Sequence, residues 1–254
     1  MKKVSLLAIL ATAASIPAAM AQTPVASSAN CPKAFQGFHL GGNIGYGVGY
    51  GKQKTFLRHT TAAGTFVDSN ASKNNLGFNG VDGGIGLGYT HRFCNWALGI
   101  AFDANWASTS GKRTNRFVEA NIPPVANTTL LSTDKAQLRN SLQLYGRAGY
   151  VLANMVMPFV GLGWDNSSWK QSVTVDGFRN SHSKRYNALL WKLGVDFLAT
   201  KHVVVGFEYT GTSAGKKDLH RKTRAATTTR NALTTGGSFK PQYNKFALTA
   251  KLVY

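Results

Sequence analysis

Two kinds of side chain alternate, position by position, through residues 243–254. One row is apolar and ends in an aromatic ring: Phe246, Leu248, Ala250, Leu252 and Tyr254. The opposite row carries Lys245 and Lys251. Because successive side chains of a β-strand point to opposite faces, this stretch predicts a strand with one apolar and one polar face.

The same alternation returns in seven earlier segments. These segments are 38–50, 81–93, 96–106, 138–150, 159–165, 188–197 and 203–210. The segment from Trp96 to Trp106 has about the 9–11 residues that a tilted membrane strand needs, with an aromatic residue at each end. Together with the last segment, the pattern predicts eight strands.

The connections between these segments alternate strictly in length. Three are short, at 94–95, 152–155 and 199–202, and four are long, at roughly 51–79, 107–136, 166–185 and 211–241. Short periplasmic turns and long outer loops on an even number of strands produce this rhythm. We therefore predict an all-β fold, a closed antiparallel eight-stranded transmembrane β-barrel with both termini in the periplasm. A soluble β-sandwich is the alternative, but it gives no reason for loop lengths to alternate.

The N-terminus has the features of a secretory signal. Lys2 and Lys3 form a basic start, 4–16 is an apolar run, and Ala19-Met20-Ala21 is a small-residue cleavage site. The apolar run is shorter than the roughly 20 residues of a membrane-spanning helix. We expect a signal peptide at 1–21, a flexible lead-in at 22–34 and the barrel at 35–254, located in the bacterial outer membrane.

The polar rows of the predicted strands would face the barrel interior, and they contain charges of both signs. Buried charges are tolerated when they are paired, so we predict ion pairs inside the barrel, such as Arg147 or Lys192 with Glu208 or Asp103. The candidate residues are Asp103, Arg139, Arg147, Lys192, Asp196 and Glu208. Eight strands leave an interior that side chains can fill, which favours a polar plug. Glycines in the same rows keep a narrow porin as the alternative.

A large positive charge points to anionic partners. The formal charge is +19, and removing Lys2 and Lys3 leaves 19 − 2 = +17. An exported chain is not expected to have nucleic acid as its target, so phosphorylated lipid and anionic glycan are the better candidates. The fourth long connection is rich in basic residues: Lys216, Lys217, Arg221, Lys222 and Arg224. We expect these residues to contact lipopolysaccharide or the glycans of a host or neighbouring cell, with solvated loops that bind nothing specific as the alternative.

The two cysteines are placed alike in the predicted barrel. Cys31 precedes the first strand and Cys94 lies in the first short turn, so both fall at the periplasmic end, in an oxidising compartment. They are candidates for a disulfide, with two free thiols as the alternative.

Motifs for cofactor chemistry are weak in this sequence. The glycine runs at 47–51 and 84–88 are not followed by an amphipathic helix, and Gln53 follows Lys52 where a phosphate-binding loop has Ser or Thr. No Cys/His cluster has metal-ligand spacing. We therefore predict no cofactor and no enzymatic activity; a lipid-A-modifying enzyme with its site in the outer loops is the alternative.

The run Gly37-Phe-His-Leu-Gly-Gly-Asn-Ile-Gly-Tyr46, the pair Glu208-Tyr209 and the aromatic C-terminus resemble the opacity-type and OmpA-like surface antigens of Gram-negative bacteria. The resemblance implies an eight-stranded outer-membrane barrel that serves as a structural envelope protein, an adhesin or a small porin. It also implies recognition of the final strand by the outer-membrane assembly machinery. Membrane lipids, lipopolysaccharide included, would surround the barrel.

Overall fold

The computed structural model describes residues 34–60, 66–118, 129–175, 178–224 and 232–254. For some of these residues only the backbone is described: 55–60, 66–74, 116–118, 129–130, 219–222, 224, 232–233 and 235. Ten β-strands make up almost all of this part of the chain: β1 (Gly37–Thr60), β2 (Phe66–Phe93), β3 (Trp96–Ala107), β4 (Ser110–Val118), β5 (Thr129–Tyr150), β6 (Val156–Val175), β7 (Phe178–Leu198), β8 (Val203–Ala214), β9 (Lys217–Arg224) and β10 (Ala232–Val253).

The strands close into one antiparallel ring. β1 pairs with β2 on one side and with β10 on the other, and the remaining order is β10-β8-β7-β6-β5-β3-β2. β4 continues the course of β3 after a break at 108–109, and β9 follows β8 after a break at 215–216. The ring therefore has eight strands, and the prediction of a closed eight-stranded barrel is confirmed.

Three short turns join strands at one end of the barrel, here called the lower end. They lie at 94–95, 151–155 and 199–202. Cys94, Ala153 and Asn154 have φ angles of 53°, 47° and 58°, the left-handed conformation that lets two antiparallel strands reverse within a few residues. The start of β1 and the end of β10 are paired at the same end, since His39 is opposite Val253.

The strands are longer than the sequence pattern predicts. Most of the predicted outer loops at 51–79, 107–136, 166–185 and 211–241 is strand, continued as paired ribbons beyond the predicted limits. The reason is visible on β6, where Trp164 is exposed on the outer face but Trp169 and Val173 are buried on the inner face. The backbone pairing continues upward, but the apolar side chains change from the outer face to the inner face. The alternation of an apolar outer row with a polar inner row, which identified the strands in the sequence, therefore ends at this height.

In this upper extension the wall has two four-stranded halves, β2-β1-β10-β9 and β4-β5-β6-β7, which are joined at the first seam by the pairing of Asn79 with Ser110. The β2–β3 ladder ends at Asp82 opposite Ala107, and the β7–β8 ladder ends at Ala188 opposite Ala214. At the second seam, Lys217 Nζ donates a hydrogen bond to the Arg185 carbonyl oxygen at 2.7 Å. Side chains rather than a backbone ladder therefore join the sheets there.

Candidate functional site

An apolar band surrounds the lower part of the barrel on its outer face. The outward rows predicted to be apolar are exposed there, among them Phe38, Ile44, Leu87, Trp96, Ile100, Trp106, Leu144, Leu162, Trp164, Leu189, Phe207, Phe246, Leu248 and Tyr254. Trp96 and Tyr150 pack edge to face at the lower margin, with ring centroids 5.1 Å apart. A contiguous apolar surface of this extent is stable against lipid rather than water.

The middle of the interior is a charged layer formed by Asp103, Arg147, Lys192, Asp196, Glu208 and Lys251, all but Lys251 buried. Lys192 Nζ lies 2.7 Å from Asp103 Oδ2 and 2.6 Å from Glu208 Oε1. The same ammonium group lies 4.2 Å from the centre of the Tyr145 ring. Each charge is therefore compensated inside the barrel, the condition for burying ions at tolerable cost.

Arg147 has a different partner from those expected. Its Nη2 lies 2.7 Å from Asp196 Oδ2, whereas the sequence suggested Glu208 or Asp103. Lys251 completes this group, with Nζ 2.9 Å from Asp196 Oδ1. One carboxylate thus accepts from two cations whose strands lie two positions to either side of β7, which ties β5, β7 and β10 together.

Arg139 does not join the charged layer, contrary to the prediction. A bulge between Leu138 and Asn140 shifts the register against β6 by one residue. Above the bulge the two faces of β5 exchange, so Arg139 is exposed while Leu138 is buried. A one-residue shift has this effect because side chains alternate with a period of two.

A further polar group lies above the charged layer, around Lys245 of the polar row predicted for the last strand. Lys245 forms an ion pair with Asp82, and its Nζ donates to Asn43 Oδ1 at 2.6 Å and to Asn105 Oδ1 at 3.0 Å. Tyr243 donates from its hydroxyl to Asp82 Oδ2 at 2.9 Å. The alternation of β10 contains this signal, since Lys245 and Lys251 share its inner row.

Apolar layers lie above and below the charges. The upper aromatic cluster consists of Leu76, Phe78, Ala136, Leu138, Trp169, Tyr186, Ala188, Ala214, Phe239 and Tyr243. Trp169 is its centre, with its ring centroid 4.8 Å from that of Phe78 and 5.8 Å from that of Phe239. The lower apolar cluster consists of Phe35, Ala97, Val151, Met157 and Val204. Apolar clusters therefore lie above and below the charged layer, whereas the sequence favoured a polar plug.

Glycines of the inner rows make room for these rings. A Cβ built on Gly51 would lie 2.0 Å from Phe239 Cε2, and one on Gly47 would lie 1.9 Å from the Tyr243 hydroxyl oxygen. The space that such glycines leave is occupied by side chains of neighbouring strands rather than by an open path. A small cavity of about 20 Å³ lies in the charged layer beside His39, Asp103, Glu208 and Lys251. It has room for about one water molecule.

Charge is separated between the interior and the outer wall. Six of the ten acidic residues are buried: Asp82, Asp103, Asp134, Asp165, Asp196 and Glu208. Among the acidic side chains whose surroundings are described, Asp218 alone is exposed. The exposed cations above the band are Lys52, Lys54, Lys112, Arg113, Lys135, Arg139, Arg179, Arg185, Lys216 and Lys217.

The predicted basic segment lies at the seam of the two sheets. Lys216 and Lys217 are exposed at the break before β9. Arg221, Lys222 and Arg224 belong to β9, which pairs with β10, while their side chains lie outside the described part. The segment is thus largely a strand rather than a loop, and it is one part of a basic surface that also includes β1, β4, β5 and β7.

Cys94 lies in the turn between β2 and β3, at the lower end. Cys31 lies outside the described residues, so the disulfide stays a prediction.

Among the described residues, no group of three His, Cys, Asp or Glu side chains is arranged to hold a metal ion. None of these residues forms a helix with the length and hydrophobicity needed to cross a membrane.

The chain is similar to several known structures at low identity. Neisserial surface protein A is 12% identical with a TM-score of 0.38, covering 85% of this chain and 97% of its own. OprG from Pseudomonas aeruginosa is 12% identical with a TM-score of 0.44, covering 87% and 99%. Ail of Yersinia pestis, solved with the heparin analogue sucrose octasulfate, is 13% identical with a TM-score of 0.31, covering 81% and 98%.

No curated protein matches the sequence. The family model for the outer membrane protein beta-barrel domain matches residues 6–241, which is most of the chain. With its closed ring of eight strands and its apolar outer band, the chain belongs to this family of bacterial outer-membrane β-barrel proteins.

Proposed function

We propose that this protein is a non-enzymatic, surface-exposed structural component of the outer membrane whose basic outer surface binds anionic lipopolysaccharide or glycan. The separation of charge carries the proposal. The interior takes six acidic residues with the cations Arg92, Arg147, Lys192, Lys245 and Lys251. This leaves 10 − 6 = 4 acidic and 29 − 5 = 24 basic residues for the rest of the chain, Lys2 and Lys3 included.

Among the described side chains above the band, ten cations and Asp218 are exposed, and this imbalance creates a positive potential that attracts phosphates and sulfates. Lysine and arginine form charge-assisted hydrogen bonds with these groups. The basic residues stand on ladders of paired strands, so binding would require little ordering of the protein. With the lower end in the periplasm, the upper extension and its cations would lie outside the cell.

A narrow porin is the second candidate, and the inner glycines are the observation in its favour. The aromatic cluster above the charges and the apolar cluster below them favour an interior that is closed to solutes over a narrow porin.

A lipid-A-modifying enzyme is a third candidate. Mass spectrometry of lipid A from cells with and without the gene tests it, and we expect identical profiles. We also expect the final strand, which ends in Tyr254, to be recognised by the assembly machinery.

The direct test of the proposal is binding of the folded protein in detergent to purified lipopolysaccharide and to the same material after removal of its phosphates. We expect tighter binding of the phosphorylated form and a marked loss of affinity between low and physiological salt. A sulfated polysaccharide would compete if glycans are the ligand. Equal, salt-independent binding of both lipopolysaccharides would contradict the proposal.

A further inference from the structure

Two lysines face each other on the outer wall directly above the apolar band. Lys52 on β1 is opposite Lys240 on β10. Both belong to outward rows, with Lys52 exposed and Lys240 half-exposed. Tyr50, at the upper margin of the band, precedes Lys52 by two residues on the same face, which is roughly 7 Å along a strand. The ammonium groups therefore lie at the height where lipid head groups meet the barrel.

This pairing is unfavourable for the protein alone. Like charges directly opposite each other on neighbouring strands destabilise a sheet. On the other side of Lys52, the residue opposite on β2 is the exposed Asn75. Among the described residues, neither lysine forms an ion pair. A dianion placed between the two lysines would remove the repulsion and form charge-assisted hydrogen bonds with both.

We propose that Lys52 and Lys240 form a binding site for a phosphate group of lipopolysaccharide in the surrounding leaflet. The proposal rests on the proposed function and narrows it to one ligand and one place. Lys54 follows on the same exposed row, and the side-chain amides of Asn75 and Gln242 are neutral donors beside the pair. The site thus has donors on three adjacent strands, β10, β1 and β2.

The height of the pair favours lipid over a glycan from another cell. β1 continues from Lys52 to Thr60, which adds roughly 26 Å of strand above the site. A molecule that approaches from outside would meet that extension first, whereas a lipid neighbour reaches the margin of the band laterally. The phosphates of lipopolysaccharide lie at the boundary of the hydrocarbon region, which is the level of this pair.

A second lysine pair provides a matched control. Lys112 on β4 is opposite Lys135 on β5, and both are exposed. Lys112 follows the band residue Trp106 by six positions, and Lys240 precedes the band residue Phe246 by six. The two pairs have the same charge and the same cross-strand arrangement, and they differ in place, since the second pair lies on β4 and β5, away from Tyr50 and from the donors of β10, β1 and β2.

The experiment uses the full-length barrel folded in detergent and measures its affinity for purified phosphorylated lipopolysaccharide at physiological salt. Lys52→Gln/Lys240→Gln is compared with Lys112→Gln/Lys135→Gln, with Lys52→Arg/Lys240→Arg as the variant that keeps both charges. We expect the first variant to lose affinity by roughly five- to tenfold, as two exposed charge contacts imply. The second variant should change by less than about twofold, and the arginine variant should bind like the wild type.

Equal losses from both glutamine variants would overturn the site, because binding would then follow total charge. Unchanged affinity of Lys52→Gln/Lys240→Gln would overturn it as well. Either result is distinct from failure of the proposed function, in which the wild type itself would not discriminate phosphorylated from dephosphorylated lipopolysaccharide.

Discussion

Lys192 on β7 and Asp103 on β3 meet across the barrel interior, with 2.7 Å between Nζ and Oδ2. Three strand intervals of the wall separate their strands, and Glu208 on β8 approaches the same ammonium group at 2.6 Å. One buried cation thus forms ion pairs with two carboxylates from different sides of the ring.

Replacing Lys192 with Met should destabilise the barrel by about 3–5 kcal/mol, because Asp103 and Glu208 would remain buried without their counter-ion. Urea-dependent unfolding in lipid vesicles measures the loss. The triple variant with Asp103→Asn and Glu208→Gln should recover much of it. If Lys192→Met alone were as stable as the wild type, the ion pairs would not be what makes these buried charges tolerable.

Gly51 is expected to tolerate no side chain. Gly51→Ala would place a Cβ against the Phe239 ring. Overpacking of this kind lowers the free energy of unfolding by about 1–3 kcal/mol. Gly77 has nothing within 4 Å of a built Cβ, so Gly77→Ala is the matched control and should have little effect. The same unfolding assay compares the two. Equal effects would show that the inner row is not packed against Phe239.

Trp169→Ala should loosen the upper extension while leaving the apolar band intact. The indole lies between Phe78 and Phe239, which belong to the opposite sheet. Loss of a buried tryptophan typically costs about 3–5 kcal/mol, and here the cost should appear locally as faster hydrogen exchange in β6 and β10 above the band. Unchanged exchange in both strands would contradict the view that this cluster holds the two sheets together.

Tyr186, above the band, should make the upper extension sensitive to alkali. Burial raises the pKa of its hydroxyl to about 12, partly offset by the hydrogen bond that Gln171 Nε2 donates to it at 3.0 Å. Since the folded state favours the neutral phenol, its stabilising contribution is complete below about pH 10, the ordinary value, and is lost as the pH rises through about 12.

The measurement is the unfolding free energy from about pH 9 to pH 12 for the wild type and Tyr186→Phe. The variant should lose less stability over this interval, because phenylalanine does not ionise. Superimposable pH profiles would show that Tyr186 is not desolvated.

The sequence predicted the lower half of the barrel well because one physical rule operates there. Where the outer face meets lipid and the inner face is polar, hydrophobicity alternates with the strand period, and the segments containing Trp96 or Phe246 are easily found. Lys192 could be assigned to the interior by the same rule. Its particular partners required the ring geometry, because a strand period gives the face of a residue but not its neighbours across the barrel.

The upper half was less predictable because the rule is reversed there. Trp169 and Phe239 are buried on inner rows while outward rows become polar, so the segments resemble loops in sequence. Arg139 was misplaced because a bulge is a single extra residue with no compositional signal of its own. The lysine pair at Lys52 and Lys240 depends on register between the first and last strands, which no local pattern contains.

Planar-bilayer conductance tests most directly the claim that this barrel acts through its outer surface and not through its interior. We expect no stable single-channel steps for the wild type, since the ion pairs of Lys192 and Arg147 lie between two apolar clusters. Reproducible steps from the purified, folded protein would show a continuous path for ions and would contradict it.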